Sequence, residues 1–216
     1  MSSKKESDAV KLVLVGDSGV GKTCIISRFV SGEYNSNSPS TDGASYAMKR
    51  LNLPKLRTNI NLDIWDTAGQ EKYKSLNKFF YKDAKIIIMV YDITNKASFE
   101  NLKTFWYNEV KDLSDPHFIL SIAGNKSDLY DDEEVQEKEA REYAKSMNAI
   151  FGLTSAQNNT GIDQLFEEIG IKYLNPNFQE KVEENYKEKN RISNIQLNQE
   201  QIKKHNKEHK KRKKFC

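Results

Sequence analysis

The chain has few cysteines and no long apolar run. Two cysteines among 216 residues, Cys24 and Cys216, cannot build a disulfide framework, which is typical of a reducing compartment. No apolar run approaches the ~20 residues of a membrane span, and the first residues lack the apolar core of a signal peptide. We therefore expect neither a disulfide-stapled secreted protein nor an integral membrane protein.

Net positive charge is confined to the C-terminal tail. Residues 203–216 hold eight Lys or Arg against one acid, a net +7, so the net charge of +3 leaves −4 for residues 1–202. A nucleic-acid-binding domain would carry its basic residues on a folded face, so we expect no nucleic-acid partner. Hydrophobic residues make up only 37%, which indicates that part of the chain lies outside a core.

Apolar runs alternate with helical patterns, which predicts an α/β fold with a six-stranded, mixed but mostly parallel sheet flanked by about five helices. Two of the strands alternate in polarity and are joined by Pro54-Lys55, as in an antiparallel hairpin. The predicted strands are Lys11–Val15, Ala44–Leu53, Asn59–Trp65, Lys85–Tyr91, Phe118–Gly124 and Ala149–Leu153. The predicted helices are Lys22–Val30, Ser75–Phe80, Ser98–Leu113, Glu134–Met147 and Ile162–Leu174.

Three segments are expected along the chain: a flexible N-terminus (1–8), one folded domain (9–174) and a polar, basic tail (175–216). After Pro176 the pattern dissolves into Gln, Glu, Asn and Lys, which is typical of a disordered leash. The alternative is a polar helix packed on the domain, because Glu180–Lys189 has reasonable helix propensity.

A glycine-rich turn lies between the first predicted strand and the first predicted helix. Its sequence is Gly-Asp-Ser-Gly-Val-Gly-Lys-Thr, and such a loop cradles phosphates with backbone N–H groups at a helix N-terminus. Lys22 is expected to reach the β- and γ-phosphates, and the Thr23 hydroxyl suits Mg²⁺. The alternative is an ordinary Gly-rich turn that happens to end in Lys-Thr. The expected phosphate-loop contacts are Gly16, Ser18, Gly19, Val20, Gly21, Lys22 and Thr23.

A second cluster, Trp-Asp-Thr-Ala-Gly-Gln-Glu, follows the strand that ends at Trp65. Ligands of open parallel sheets bind at the carboxyl ends of the strands, where this cluster is predicted to lie. Asp66 is expected to hold Mg²⁺ through a water, Gly69 to offer an N–H to the γ-phosphate, and Gln70 to orient the attacking water.

A third cluster, Asn125-Lys126-Ser127-Asp128, follows the predicted strand Phe118–Gly124. A carboxylate at Asp128 accepts hydrogen bonds from the ring N–H and the exocyclic amine of guanine, whereas adenine offers no such pair of donors. The stem of Lys126 is expected to lie along the base, and Asn125 to tie this loop to the phosphate loop. Together the three clusters predict binding of GTP and GDP with Mg²⁺.

At this point the chain resembles the Ras superfamily of small GTPases and, within it, the endosomal branch of the Rab family. The resemblance covers about Ala9–Leu174, and it implies a P-loop NTPase G domain. The motifs that carry it are residues 16–24, 65–71, 91–94 with Ser98-Phe99, 124–129 and 154–156.

The resemblance also implies roles that the residues alone do not reveal. Thr41 matches the switch threonine that binds Mg²⁺, and Tyr34 matches an aromatic that covers the guanine. The backbones of Ser155 and Ala156 match the loop that contacts the guanine carbonyl, and that of Cys24 matches an α-phosphate contact. Gln157 takes the place of a lysine that stacks near the base.

The family resemblance implies a monomeric switch with slow intrinsic GTP hydrolysis. Its expected partners are exchange factors, GTPase-activating proteins, a dissociation inhibitor and effectors, all acting through the switch regions. Its expected location is the cytoplasmic face of vesicle or endosomal membranes, in exchange with the cytosol.

Four positions depart from the family pattern. Asp42 stands where an Ile is usual on the effector surface, Gln157 replaces the usual Lys, Leu153 replaces a Glu, and the chain ends in one cysteine where two are usual. An acid at Asp42 should change the choice of partner, and Gln157 is expected to weaken guanine affinity.

Cys216 follows a polybasic run, which predicts membrane attachment by one prenyl group and a basic patch. The alternatives are a solvated charged tail and a nuclear localisation signal. Two other functions also stay open: a scaffold that binds nucleotide weakly, and a soluble nuclear-transport switch.

Overall fold

A computed structural model of the chain describes residues 9–36, 44–67, 80–112, 114–115 and 117–176. The chain forms two units, Met1–Leu174 and Asn175–Cys216, and only residues 175 and 176 of the second are described. The expected N-terminal segment 1–8 and most of the tail lie outside the described residues, so the organisation into three segments stays a prediction. Within the described residues, no helix is long and apolar enough to cross a membrane.

The six predicted strands form one sheet in the order β2-β3-β1-β4-β5-β6. All neighbours are parallel except β2 and β3, which pair antiparallel, so the prediction of a mixed, mostly parallel sheet is confirmed. The strands are β1 (Val10–Val15), β2 (Ala44–Leu53), β3 (Thr58–Thr67), β4 (Ile86–Asp92), β5 (Ile119–Asn125) and β6 (Ile150–Leu153).

Five helices accompany the sheet in the part of the chain that the structure describes. They are α1 (Lys22–Ser31), α2 (Lys96–Asn101), α3 (Tyr107–Lys111), α4 (Glu137–Ser146) and α5 (Ile162–Leu174). The predicted helix Ser75–Phe80 falls almost wholly on residues outside the described ranges.

Two helix predictions need correction. The predicted helix Ser98–Leu113 begins earlier, at Lys96, because Asn95 caps it by accepting a hydrogen bond from the Ser98 N–H; a π-helical turn, Leu102–Trp106, then separates α2 from α3. The predicted helix Glu134–Met147 begins later, at Glu137, because the backbone of Gln136, with a ψ of +132°, is still not helical.

The core lies on both faces of the sheet because side chains alternate along each strand. On one face, Val13, Val15, Ile87 and Met89 pack in a cluster that includes Phe99 of α2. Helices α1 and α5 meet through Phe29 and Phe166, whose rings stack with centroids 3.7 Å apart and an interplanar angle of 6°.

Replacing Phe166 by Ala is expected to lower the free energy of unfolding by about 3–5 kcal/mol, because the ring is fully buried and its loss leaves a cavity beside Phe29. Chemical denaturation measures this. The control is Gln164→Ala, whose exposed amide donates to Glu168 one turn further along the helix; this change should cost less than about 0.5 kcal/mol. A loss for Phe166→Ala as small as the control's would contradict the stacking.

Candidate functional site: polar groups at the carboxyl ends of the strands

The parallel strands bring the three sequence clusters to one edge of the sheet. β1 runs into the glycine-rich loop, β3 ends at Asp66 and Thr67, and β5 ends at Asn125. β4 ends at the same edge with Asp92, and the loop 154–157 follows β6. Since Asp66, Asp92 and Asn125 are the last residues of their strands or next to them, the sheet holds their backbones in place.

Gly16 and Gly21 allow the phosphate loop to pass close to its neighbours. Their φ angles are +145° and +94°. A Cβ on Gly16 would lie 2.2 Å from the Val90 carbonyl oxygen, and one on Gly21 would lie 2.3 Å from Asn125 Nδ2. Any larger residue would therefore push the loop off β4 and β5.

Lys22 lies buried beneath the loop at the start of α1. Its Nζ donates to the carbonyl oxygens of Gly16 and Asp17, each at 2.8 Å. Burial lowers the pKa of Lys22 to about 8, against the opposing effect of Asp66 and Asp17. The ammonium is thus held by neutral carbonyls, with two acids close by.

Thr23 and Asp66 bring two hard oxygen atoms together. The Thr23 hydroxyl donates to Asp66 Oδ2 at 2.6 Å, and Asp66 is almost fully buried. This pair matches the oxygen donors that Mg²⁺ prefers. No group of three or more His, Cys, Asp or Glu that could hold a metal occurs among the described residues. A cation here would have to take further oxygens from elsewhere.

The Asn125 amide joins three loops. Its Nδ2 donates to the Val20 carbonyl of the phosphate loop at 2.8 Å, and its Oδ1 accepts from the Thr154 hydroxyl at 3.2 Å. Asn125 and Thr154 are buried. The predicted tie between Asn125 and the phosphate loop is present, and the link to Thr154 adds the loop after β6.

Asp128 and Lys126 have partners at the ends of β6 and β4. The Ser155 hydroxyl donates to Asp128 Oδ1, which orients the half-buried carboxylate. Lys126 adopts a φ of +64°, and its Nζ lies 2.6 Å from Asp92 Oδ2. The sequence argument gave Asp92 no role, although an acid directly after a buried apolar strand is a usable signal.

Tyr34, Gln157 and Arg28 form a polar corner beside this loop. Arg28 donates from Nε to the Ala156 carbonyl at 2.8 Å and from Nη2 to the Gln157 carbonyl at 3.2 Å. The Tyr34 hydroxyl lies 3.5 Å from Gln157 Oε1, and the Arg28 guanidinium lies 5.6 Å from the centre of the Tyr34 ring. The sequence argument missed Arg28, because an Arg on a helix carries no specific signal.

A row of aromatic rings was also missed. Tyr46 of β2 lies 5.1 Å from Trp65 of β3, and Trp65 lies 5.5 Å from Phe80, measured between ring centroids. Tyr46 and its neighbour Met48 are exposed. The row therefore offers an apolar surface beside the site.

Several predicted site residues lie outside the described ranges: Thr41, Gly69, Gln70 and Cys216, together with Asp42. Cys24 is described and half-buried in the first turn of α1. The remaining predicted site residues lie together at the carboxyl edge of the sheet.

Replacing Asn125 by Ala is expected to lower the free energy of unfolding by about 2 kcal/mol, because the Val20 carbonyl and the Thr154 hydroxyl lose their buried partner. Thermal and chemical denaturation measure this loss. Asn158→Ala, at an exposed position of the loop after β6, is the control. Equal stabilities of the two variants would contradict the joining role of Asn125.

Comparisons with known proteins place the chain in a family. The Ras family model matches residues 11–175. The chain is similar to a putative ras-related protein Rab-5B of Dictyostelium discoideum, 46% identical over 160 residues that cover 74% of this chain and 72% of the relative. It is also similar to human Rab-22A, 42% identical over 74% of this chain and 81% of the relative. The chain therefore belongs to the Ras family and, within it, to the Rab small GTPases.

Proposed function

We propose that the carboxyl edge of the sheet is the site at which this Rab protein binds and hydrolyses GTP. As a Rab small GTPase, the chain binds guanine nucleotides, hydrolyses GTP to GDP and phosphate, and regulates vesicle traffic. The observation that carries the residue assignment is the Asn125 amide, which bonds the phosphate loop to the base-side loops.

The phosphate loop supplies the positive potential for the triphosphate. The loop N–H groups and the N-terminus of α1 attract anions, and the Lys22 ammonium beneath the loop adds a positive charge. The phosphates would compete with the Gly16 and Asp17 carbonyls for the Lys22 ammonium. Contacts with phosphate strengthen as charge develops on the leaving oxygens, and this stabilises the transition state.

Thr23 and Asp66 would hold a magnesium ion, with Thr41 as the second threonine of the set. When bound, Mg²⁺ neutralises charge on the β- and γ-phosphate oxygens. Asp66 is held by Thr23, so its carboxylate keeps one orientation. Gln70 would orient the attacking water, and Gly69 would donate an N–H to the γ-phosphate.

The base side of the site explains a preference for guanine. Asp128 accepts from the ring N–H and the amine of guanine, and its Ser155 partner holds the carboxylate in place. Tyr34 and the stem of Lys126 would cover the two faces of the base. Arg28 fixes the peptide planes at Ala156 and Gln157, whose loop would contact the guanine carbonyl.

Replacing Asp128 by Asn tests this assignment. The amide donates where guanine also donates, so GDP affinity should fall on the order of 10³-fold. Xanthosine diphosphate carries a carbonyl in place of the guanine amine and should bind the variant better than GDP does. Titration with fluorescent nucleotides measures both affinities, with Asp131→Asn in the next turn as control.

Two results would contradict this part of the proposal. Unchanged GDP affinity in Asp128→Asn would remove Asp128 from the base site. Micromolar or weaker binding of both GDP and GTP by the unsubstituted chain would favour the scaffold alternative, in which hydrolysis is incidental.

The aromatic row fits the surface that effectors contact. In the sequence, Tyr46 follows residues 37–43, and Trp65 and Phe80 come before and after residues 68–79, the two segments proposed to carry the γ-phosphate contacts. Effectors and regulators that contact both segments would also cover the row. Exposed Met48 extends its apolar area.

Membrane attachment is proposed to rest on a prenyl group at Cys216 and the polybasic run before it. One lipid chain anchors marginally, and a basic patch on an anionic leaflet supplies the second signal. The sequence resemblance to the endosomal branch of the Rab family favours an endosomal membrane with cycling through the cytosol, and the similarity to Rab-5B and Rab-22A supports membership of the Rab family.

Cys216→Ser should move most of the protein from the membrane pellet to the supernatant in cell fractionation, because the lipid attachment point is lost. Replacing Lys210, Lys211 and Lys213 by Gln should reduce pelleting partly, and Ser193→Ala in the same tail is the control. If Cys216→Ser pelleted as much as the unsubstituted protein, prenyl anchoring would be contradicted. If the Lys variant, but not Cys216→Ser, were lost from the nucleus, the tail would act as a nuclear localisation signal.

A further inference from the structure

An acid occupies the second position of the loop that is proposed to hold phosphates. Asp17 directly follows Gly16, and its own carbonyl oxygen accepts from Lys22 Nζ at 2.8 Å. A carboxylate at this place would repel a polyphosphate and compete for the lysine if it turned inward. Its position therefore matters for nucleotide binding.

Both oxygens of this carboxylate are held by groups outside the loop. The Trp106 indole donates from Nε1 to Asp17 Oδ1 at 2.7 Å, and the Asn101 amide donates from Nδ2 to Oδ2 at 2.7 Å. Trp106 is buried, with 4% of its surface exposed, whereas Asn101 lies at the surface. Hydrogen bonds to an ionised acceptor are among the stronger ones in proteins.

The π-helical turn makes the two donors converge. Asn101 is the last residue of α2, and Trp106 is the last residue of the π turn Leu102–Trp106. Residues five apart on a regular α-helix point about 140° away from each other. The i→i+5 pattern of a π turn, present here between the Tyr107 N–H and the Leu102 carbonyl, brings them towards one side.

We propose that Asn101 and Trp106 are positioning residues for nucleotide binding, which hold the Asp17 carboxylate on the helix side of the loop and away from the phosphates. The inference rests on the proposed function of the loop. It adds that retention of GTP and GDP depends on a helix that touches no phosphate. A partner that shifts the α2–α3 segment would thereby change the rate of nucleotide release.

A double variant, Asn101→Ala with Trp106→Phe, removes both donors and keeps an aromatic ring in the core. The freed carboxylate should accelerate release of fluorescent GDP and GTP analogues about tenfold, measured by displacement with excess unlabelled nucleotide. Adding Asp17→Asn should bring the rate back to within about twofold of the unsubstituted chain, because the repelling charge is gone. If Asn101 and Trp106 only stabilised the fold, Asp17→Asn would not restore the release rate.

Controls separate charge from packing. Asn108→Ala removes an exposed amide that donates to the Thr104 carbonyl in the π turn, and Val110→Ala removes buried volume from α3. Both should leave the release rate unchanged. If the double variant does not fold, Asn101→Ala alone, at an exposed position, still tests the proposal. It should accelerate nucleotide release to a smaller degree, and adding Asp17→Asn should reverse that acceleration.

The outcomes separate this inference from the proposed function. Tight GDP binding by the unsubstituted chain with unchanged release in the double variant would overturn the inference alone. Fast release that Asp17→Asn does not reverse would also overturn it, since the effect would then come from packing. Failure of the unsubstituted chain to bind fluorescent GDP would overturn the proposed function and this inference with it.

Discussion

The buried amide of Asn125 is the interaction on which the rest of the site depends. The Asn125 side chain bonds the phosphate loop at Val20 and the loop after β6 at Thr154, and Asn125 itself is the last residue of β5. Because the Asn125 Nδ2 lies so close to Gly21, there is no room for a Cβ at position 21. Close packing at Gly21 and the hydrogen bond at Val20 therefore fix the same backbone path of the phosphate loop. A phosphate-binding site needs such a fixed backbone path.

Charge at the site is arranged by burial and by neutral partners. The Lys22 ammonium donates to two neutral carbonyl oxygens, which an incoming anion could replace, while the carboxylates of Asp66 and Asp17 lie nearby. Asp66 bonds Thr23, and Asp17 bonds Trp106 and Asn101. The carboxylates of Asp66 and Asp17 are thus fixed by donors of their own, which keeps the oxygen atoms proposed to bind the cation apart from the nitrogen atoms proposed to bind phosphate.

Much of the fold could be predicted because its signals are local. Buried runs such as Ile86–Asp92 read as parallel strands, and the sheet has the predicted six members. The interrupted helix could not be predicted: an extra residue in one turn, at Leu102–Trp106, leaves no mark in the hydrophobic pattern. The late start of α4 was missed because acidic residues after Asp132 suit a helix and a turn equally.

The sequence by itself determined the chemistry of the site, since glycines, a lysine and a threonine before a helix have few other uses at that spacing. Only the tertiary structure decided which groups meet. Arg28 bonds Ala156, and Asp17 bonds Trp106, across 128 and 89 residues of chain. The physical reason is that such contacts follow from how helices pack on the sheet and from where a π turn aims a side chain, and neither is encoded in local spacing.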